Sequence, residues 1–258
     1  MSLNAGHEQE SAATVEPETA TVSRWRAVRR LWRAETAYII VLAAFAVLAA
    51  FAYFNAYFGW DLKVSSAFNW TTFSPPGLFP LLWFTSVFGN SWIPYALSAA
   101  TMIAFLLFGR RSEAVALLLS TAGSGLINST LKILIARPRP SAEVGIQVYR
   151  DTVSQSFPSG HVTFYVCYFG FLFFTAYALL PRGTLARRLA LTFTALPVAL
   201  VGLSRIYLGA HWPSDTLGAY LWSGIWLAFS LEMYRRWKER RTFHGEEKTE
   251  GRKPDVQP

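Results

Sequence analysis

The chain has 258 residues, of which 52% are hydrophobic and only 16% are charged. Charged residues make up about 25% of a typical soluble domain, so this composition excludes an ordinary soluble protein and indicates an integral membrane protein in contact with the lipid bilayer. The formal net charge is +8, but the basic residues lie at the ends of apolar runs, a pattern typical of membrane orientation rather than of nucleic-acid binding. One cysteine and four scattered histidines do not form a zinc pattern.

The first 36 residues are predicted to lie outside the membrane domain. Residues 1–23 are acidic and lack apolar periodicity, which is typical of disorder. Residues 23–33 carry five arginines interleaved with Trp25, Leu31 and Trp32. This pattern predicts a basic helix at an anionic membrane surface.

Six apolar segments predict an all-α polytopic membrane domain over residues 37–234. A helix needs about 20 apolar residues to cross the hydrocarbon layer. The predicted spans are residues 37–58, 92–109, 113–135, 162–180, 189–203 and 216–233. Residues 78–88 are apolar but too short to cross, which predicts an interfacial or partly buried helix, and residues 141–156 form a polar loop.

Six spans place both termini on the same side of the membrane. Most lysines and arginines flank that side, in the N-terminal segment, in residues 110–111 and 182–188, and in the charged tail 235–258. The positive-inside rule therefore predicts cytoplasmic termini. The remaining polar clusters then face outward, and the compact chain favours a bacterial inner membrane with these clusters at the periplasmic face. The oligomeric state is left open.

One outward cluster, residues 204–215, connects the fifth and sixth spans. Charged groups are costly at a membrane and often mark a functional site. Asp215 follows His211 by four residues, so its carboxylate can hold one imidazole nitrogen and leave the other free to attack. Arg205 adds a forked cation suited to phosphate. From these residues alone, a charged cap between two helices is an equally good interpretation.

Two further clusters face the same side. Lys132 and Arg139 are seven residues apart, about two helical turns, although basic residues that end a span often only reach the headgroups. Ser159, Gly160 and His161 precede an apolar helix, whose free amides form a natural anion site. The alternative there is a helix cap by Ser159 with an incidental histidine.

Together the three clusters resemble the signature of the type-2 phosphatidic acid phosphatase superfamily. The matching strings are Lys132-x6-Arg139-Pro140, Pro158-Ser159-Gly160-His161 and Ser204-Arg205-x5-His211-x3-Asp215. Their order, spacing and placement among six spans resemble the membrane-bound lipid phosphatase branch, over residues 37–234. The spacing selects Arg139 and leaves Arg137 as an auxiliary cation.

The resemblance implies a role for each matching residue. His211 would be the nucleophile that forms a phosphohistidine, Asp215 would orient it, and His161 would protonate the leaving group. The phosphoryl oxygens would be held by Lys132, Arg139, Ser159, Gly160 and Arg205. Three fixed cations can neutralise the charge that Mg²⁺ usually neutralises in phosphoryl transfer, so neither a metal nor another cofactor is expected.

The resemblance also implies the class of substrate, a membrane lipid phosphate or diphosphate such as phosphatidic acid, phosphatidylglycerophosphate or a polyprenyl diphosphate. Residues that select among these are expected in 59–90 and 141–156. Two alternatives stay open. One is a lipid phosphotransferase that uses the same site, and the other is a non-catalytic phosphate-binding membrane protein, which would need the cations but not His161 or the His211–Asp215 pair.

Overall fold

The computed structural model describes the backbone of residues 16–150 and 152–250, and the side chains of residues 35–150 and 152–239. The α-helices in this part are α1 (Glu16–Phe54), α2 (Gly59–Ala67), α3 (Leu78–Val87), α4 (Ile93–Leu107), α5 (Arg111–Ile135), α6 (Gly160–Leu179), α7 (Leu185–Tyr207) and α8 (Pro213–Glu250). One 3-10 turn, Ala142–Val144, lies between α5 and α6. No strand occurs among the described residues, and the all-α prediction is confirmed.

The chain divides into two units, residues 1–43 and residues 44–258. The described part of the first unit is the N-terminal part of α1, which already includes residues 16–23, although their composition predicts disorder. Residues 1–15 lie outside the described residues. The second unit contains α2–α8 and all of the candidate site.

Four of the described helical segments are long and apolar enough to cross a membrane: Glu35–Phe54, Arg111–Ile135, Gly160–Leu179 and Leu185–Tyr207. They coincide with the first, third, fourth and fifth predicted spans. The second predicted span corresponds to α4, which has only 15 residues, and the sixth lies within α8. Helix α3 covers the short apolar segment 78–88, as predicted. The count of six spans stays a prediction.

Helix α6 lies at the centre of the second unit and packs against α5, α7 and α8. Its sequence is apolar on all sides, which is typical of a helix that is buried all round. The main hydrophobic cluster contains Tyr165, Phe169 and Phe171 of α6, together with Val201 of α7 and Ala219 of α8. The N-terminus of α6 carries His161, so the packing of this helix places the histidine among the ends of its neighbours.

Helix α8 continues to Glu250, through much of the tail that the sequence predicts to be solvated and mobile. Ion pairs explain part of this extension. Arg236 Nε donates to Glu232 Oε1 at 2.8 Å, at the i, i+4 spacing that stabilises helices. Lys238 Nζ donates to the buried Glu113 of α5 at 3.1 Å, which ties the extended end of α8 to a neighbouring helix.

Candidate active site

The three predicted polar clusters meet at a single cavity of about 360 Å³. Lys132 lies in the last turn of α5, Gly160 and His161 in the first turn of α6, and Arg205 in the last turn of α7. The segment between α5 and α6 adds Arg139, and the connection between α7 and α8 adds His211. These six predicted residues line the cavity, whereas Ser159 and Asp215 do not; its other walls are Trp83, Ser86, Gly89, Asn90, Ser91, Tyr149, Arg150, Thr152, Ser154, Leu208 and Ala210.

The imidazole of His211 has one assignable tautomer in this setting. Nη1 of Arg139 lies 3.2 Å from Nε2 of His211. A guanidinium has donors but no acceptor, so Nε2 must accept and therefore carries no proton. The proton of the neutral ring is then on Nδ1, which faces Oδ2 of Asp215 at 3.5 Å. The lone pair of Nε2 consequently faces the cavity, as a nucleophile at this position requires.

Asp215 is completely buried behind His211. Its Oδ2 accepts a hydrogen bond from the amide of Trp212 at 2.9 Å and another from the hydroxyl of Ser156. The separation of 3.5 Å from His211 Nδ1 is longer than a hydrogen bond, and Nδ1 makes no other hydrogen bond. A small approach of the ring would complete the predicted His211–Asp215 pair.

A glycine permits the turn that brings His211 to the cavity. Gly209 has a φ of +68°, in the left-handed region where residues with a Cβ are disfavoured. A Cβ at this position would lie 2.3 Å from the carbonyl oxygen of Gln147. The turn after α7 therefore packs directly against the 141–156 loop, and this contact places the loop beside His211.

Lys132 and Arg139 are both held by that loop. Nζ of Lys132 donates to the carbonyl of Gln155. Arg139 donates to the carbonyl of Ser154 through Nε at 2.6 Å and to its hydroxyl through Nη2 at 2.9 Å, while Nη1 donates to the carbonyl of Ala210 at 2.6 Å. The guanidinium is thus oriented on two sides, which favours recognition of a tetrahedral anion with fixed geometry.

Residues at the end of α3 orient the side chains of Arg205 and His161. Arg205 is buried and donates through Nη1 to the hydroxyl of Ser86. Nε2 of His161 lies 2.9 Å from Oδ1 of Asn90, so with the amide oxygen in this position Nε2 carries the proton. Gly89 allows this close approach, because a Cβ there would lie 2.3 Å from Cδ2 of His161.

The backbone of Gly160 lines the cavity, whereas Ser159 is fully buried beside it. The hydroxyl of Ser159 makes no hydrogen bond in the structure, so the helix cap that was the alternative interpretation of this residue is not formed. Its amide donates instead to the carbonyl of Asp215 at 3.3 Å. The role of Ser159 as a phosphate ligand stays a prediction.

Arg137 does not act as an auxiliary cation in the cavity, and that expectation is wrong. Its side chain is 1% exposed and forms ion pairs with Asp215 Oδ1 at 2.7 Å and Asp61 Oδ2 at 2.8 Å. Two carboxylates from distant parts of the chain satisfy its charge, so it faces away from the cavity. The choice of Arg139 as the cavity arginine agrees with the structure.

Sequence reasoning did not single out the residues whose side chains contact predicted site residues, namely Ser86, Asn90, Ser154 and Ser156. It also missed Asp61, which pairs with Arg137 behind the site. Ser86 and Asn90 lie within the segment 59–90, which was expected to contribute to substrate selection. No spacing rule identifies these two residues as part of a site. Asp61 carried one usable signal. It is an isolated acid in a predominantly apolar region, where charge usually has a partner.

Burial and the surrounding cations set the protonation of His211. Burial lowers the pKa of His211 well below its usual 6.5, and Arg139, Lys132, Arg205 and His161 add to this effect in that order. The ring is therefore neutral near neutral pH, in agreement with the accepting Nε2. Burial also lowers the pKa of Arg139, against the opposing attraction of Asp215.

In the residues whose side chains are described, no group of three or more His, Cys, Asp or Glu side chains is arranged to hold a metal ion. The groups available to bind an anion in the cavity are the side chains of Lys132, Arg139, Arg150 and Arg205, with the amides at the start of α6. The arrangement presents a neutral imidazole, four cationic side chains and a second imidazole around one small volume. A phosphoryl group matches this set of charges and donors.

Comparison with known proteins gives a consistent family. A sequence model of the PAP2 superfamily matches residues 113–239, which include all eight predicted site residues. The putative undecaprenyl-diphosphatase YbjG of Escherichia coli is 28% identical over 186 residues, covering 68% of this chain and 87% of that protein. The lipid A 1-phosphatase of Rhizobium etli is 33% identical over 147 residues, or 51% of this chain and 58% of that protein.

The fold also has a counterpart among solved structures. A transmembrane PAP2 type phosphatidylglycerolphosphate phosphatase from Bacillus subtilis superposes with a TM-score of 0.67 at 23% sequence identity, covering 77% of this chain and 96% of that one. At this identity the likeness establishes the fold alone. The family match, the sequence relatives and the common helical architecture agree with the motif residues gathered at the cavity, and the chain belongs to the PAP2 superfamily as an integral membrane protein.

Proposed function

We propose that this protein is a membrane phosphatase that hydrolyses a lipid phosphate or lipid diphosphate through a phosphohistidine on His211. The observation that carries the proposal is the contact between Arg139 Nη1 and His211 Nε2, 3.2 Å apart at the cavity wall. It places a phosphate-binding guanidinium next to an unprotonated nitrogen. The names of the relatives, an undecaprenyl-diphosphatase and a lipid A 1-phosphatase, agree with lipid phosphate hydrolysis.

In the first step, the Nε2 lone pair of His211 attacks phosphorus while the bond to the leaving oxygen breaks. Arg139, Lys132 and Arg205 neutralise the oxygens of the transferring group, which carry the charge in the transition state. Asp215 stabilises the positive charge that develops on the imidazole, through Nδ1–H. His161, in its imidazolium form, donates a proton to the leaving oxygen and is left as a neutral ring, while Oδ1 of Asn90 orients the ring through its contact with Nε2.

In the second step, water attacks the phosphohistidine and inorganic phosphate is released. His161, which lost its proton in the first step, accepts one from the attacking water, as microscopic reversibility requires of a general acid. His211 returns to its neutral form. The three cations are provided by the protein itself, so the proposed chemistry requires no metal.

A lipid substrate fits the location of the cavity. The cavity lies at the ends of α5, α6 and α7, helices that are long and apolar enough to cross a membrane. A lipid phosphate can therefore reach the cations with its chains still in the bilayer. Withdrawing a chain into water would cost about 0.8 kcal/mol per CH₂, and a lipid bound at this position avoids that cost. A soluble ester is not concentrated in the membrane and has no chain to contact the helices.

Phosphate release from a panel of substrates tests this proposal. We expect a much higher kcat/KM for phosphatidic acid, phosphatidylglycerophosphate or a polyprenyl diphosphate than for glycerol 3-phosphate in the same detergent–lipid mixture. Activity should persist in EDTA and be inhibited by vanadate, which imitates the phosphoryl transition state. Equal values for glycerol 3-phosphate would show that the lipid part is not recognised, and a requirement for a divalent ion would contradict the cation-only mechanism.

A further inference from the structure

Behind the candidate site lies a buried charge cluster of which the proposed chemistry uses only one member, Asp215. It consists of Asp61 on α2, Arg137 in the segment after α5, and Asp215 near the start of α8. All three side chains are excluded from solvent. Taking such charges out of water costs several kcal/mol per ion, and a packed apolar cluster would join the same helices without that cost. Helix packing alone therefore does not explain why these charges are buried.

Every donor nitrogen of Arg137 is engaged. Nη1 donates to Asp215 Oδ1 and to the hydroxyl of Ser214, both at 2.7 Å, and Nη2 donates to Asp61 Oδ2 at 2.8 Å. Nε donates to the carbonyls of Asn55 and Ala56. With its donors committed to five different groups, the guanidinium has one position, and this position defines where Oδ1 of Asp215 lies.

The cluster leaves one oxygen of Asp215 for the nucleophile. Because Oδ1 is bound to Arg137, Oδ2 faces the amide of Trp212, the hydroxyl of Ser156 and Nδ1 of His211. Without the second carboxylate, the Arg137 guanidinium would pair with both oxygens of Asp215, the fork geometry that arginine and carboxylate prefer. Oδ2 would then be drawn away from the imidazole.

Asp61 also anchors the start of α8. Its Oδ1 accepts the amide of Ser214 at 2.9 Å, and its Oδ2 accepts the hydroxyl of Ser214 at 2.6 Å. One carboxylate thus fixes both the arginine that holds Asp215 and the backbone of the residue before Asp215. No sequence motif of the site includes Asp61 or Arg137.

We propose, on the basis of the phosphohistidine mechanism above, that Asp61 and Arg137 are positioning residues for the reaction. Arg137 holds the Asp215 carboxylate behind His211, and Asp61 balances the arginine so that Oδ2 of Asp215 stays directed at Nδ1. Neither residue touches the substrate. Both act through Asp215 on the orientation and basicity of the nucleophile.

Loss of the Asp61 charge should therefore alter how His211 titrates. The charged and titratable groups that face His211 are Lys132 of α5, Arg139, His161 of α6, Arg205 of α7 and Asp215 of α8. Three of these five are cations. Asp61→Asn makes this environment more positive and weakens the hold of Asp215 on the imidazole, so protonation of His211 becomes still harder and its nucleophilicity falls.

The test compares Asp61→Asn with two matched variants, using a lipid phosphate that the wild-type enzyme hydrolyses. For Asp61→Asn we expect kcat to fall about 10–100-fold, the usual effect of losing a group that orients a functional side chain, with little change in KM. The acid limb of the pH profile, which is the range of low pH over which kcat/KM is lost, should move to lower pH. Asp61→Glu keeps the charge and should restore the wild-type acid limb. Ser214→Ala removes one hydrogen bond to the same carboxylate, the one from the hydroxyl, but no charge. This variant should also keep the wild-type acid limb.

Three results would overturn the proposal: an unchanged acid limb in Asp61→Asn, equal effects of Asp61→Asn and Ser214→Ala on the pH profile, or a loss of kcat that equals the unfolded fraction measured by thermal unfolding in detergent. If Asp61→Asn does not fold, Arg137→Lys is used in its place. This variant keeps the charge but not the fork, and a wild-type kcat in it would overturn the proposal. A wild type inactive on every lipid phosphate would instead refute the proposed function.

Discussion

Nη1 of Arg139 lies 3.2 Å from Nε2 of His211, and this contact determines which imidazole nitrogen of His211 carries the proton. Since the guanidinium can only donate, the nitrogen that faces the cavity is unprotonated. The other nitrogen faces Asp215. In the proposed reaction, binding of the substrate would exchange this contact for one between Arg139 and a phosphoryl oxygen, which would free the Nε2 lone pair.

His211→Ala should lower kcat by about 10⁴-fold or more, as expected when the nucleophile of a covalent mechanism is removed. The measurement is phosphate release, together with rapid quenching of wild-type enzyme after mixing with ³²P-labelled substrate. The P–N bond of a phosphohistidine is labile in acid and survives in alkali. Near-normal activity of the variant, or trapped label that survives acid, would refute the assignment of His211.

His161→Ala should lower kcat by about 10²–10⁴-fold, the usual contribution of a general acid. The loss should depend on the leaving group. With p-nitrophenyl phosphate, whose leaving group needs no proton, we expect a much smaller effect. Asn90→Ala, which removes the amide oxygen 2.9 Å from His161 Nε2, serves as the milder companion variant. An equal loss on both substrates would contradict the role of His161 as an acid.

Arg139→Lys should weaken phosphate recognition while keeping the charge. Lysine cannot reproduce the fork that contacts Ser154, Ala210 and His211, and hydrogen bonds to charged groups contribute about 1.5–3 kcal/mol each. We therefore expect kcat/KM to fall about 10–100-fold, with a similar loss of vanadate affinity. Arg187→Lys is the matched control, because Arg187 stacks on Tyr177 and does not line the cavity. Similar losses in both variants would indicate a general effect of replacing arginine.

The acid limb of kcat/KM should lie below pH 6.5. The nucleophile must be unprotonated in the free enzyme, and burial together with the neighbouring cations lowers the pKa of His211 well below 6.5. A lowered pKa keeps the ring unprotonated further into acid, so activity is retained there and is lost only as the pH falls through that lowered pKa. The profile is measured over a series of pH values and corrected for the titration of the substrate. A corrected limb at or above pH 6.5 would contradict this assignment.

The orientation of the chain can be tested with cysteines in a Cys167→Ala background. Val153 is fully exposed in the 141–156 loop, and Val153→Cys should react with an impermeant thiol reagent added to intact cells. Arg182 lies in the exposed connection between α6 and α7, on the side predicted to be cytoplasmic. Arg182→Cys should react only after the cells are opened. The reverse pattern would place the site at the cytoplasmic face.

The sequence alone predicts those parts of the site that lie within one helix or one turn. The spacing of four between His211 and Asp215, and the position of Gly160 and His161 at a helix start, are local features with few alternative geometries. The same holds for the long apolar runs that become α5, α6 and α7. Helix ends are less predictable, because α8 is extended by the pairing of Lys238 with Glu113 across two helices.

The sequence by itself determined the chemistry of this protein: an apolar helical chain with two histidines, an aspartate and three cations in the order and spacing of a known signature. The spacing of that signature selected Arg139 as the cavity arginine, but only the tertiary structure decided where the neighbouring Arg137 lies. Arg137 is buried because Asp61, 76 residues away, and Asp215, 78 residues away, meet it in space. Arg139 turns toward His211 because the 141–156 loop holds it there. A charged side chain can be buried only where partners offset the cost of removing it from water. Partners from distant segments of the chain come into contact only when the helices pack, so they cannot be identified from the sequence.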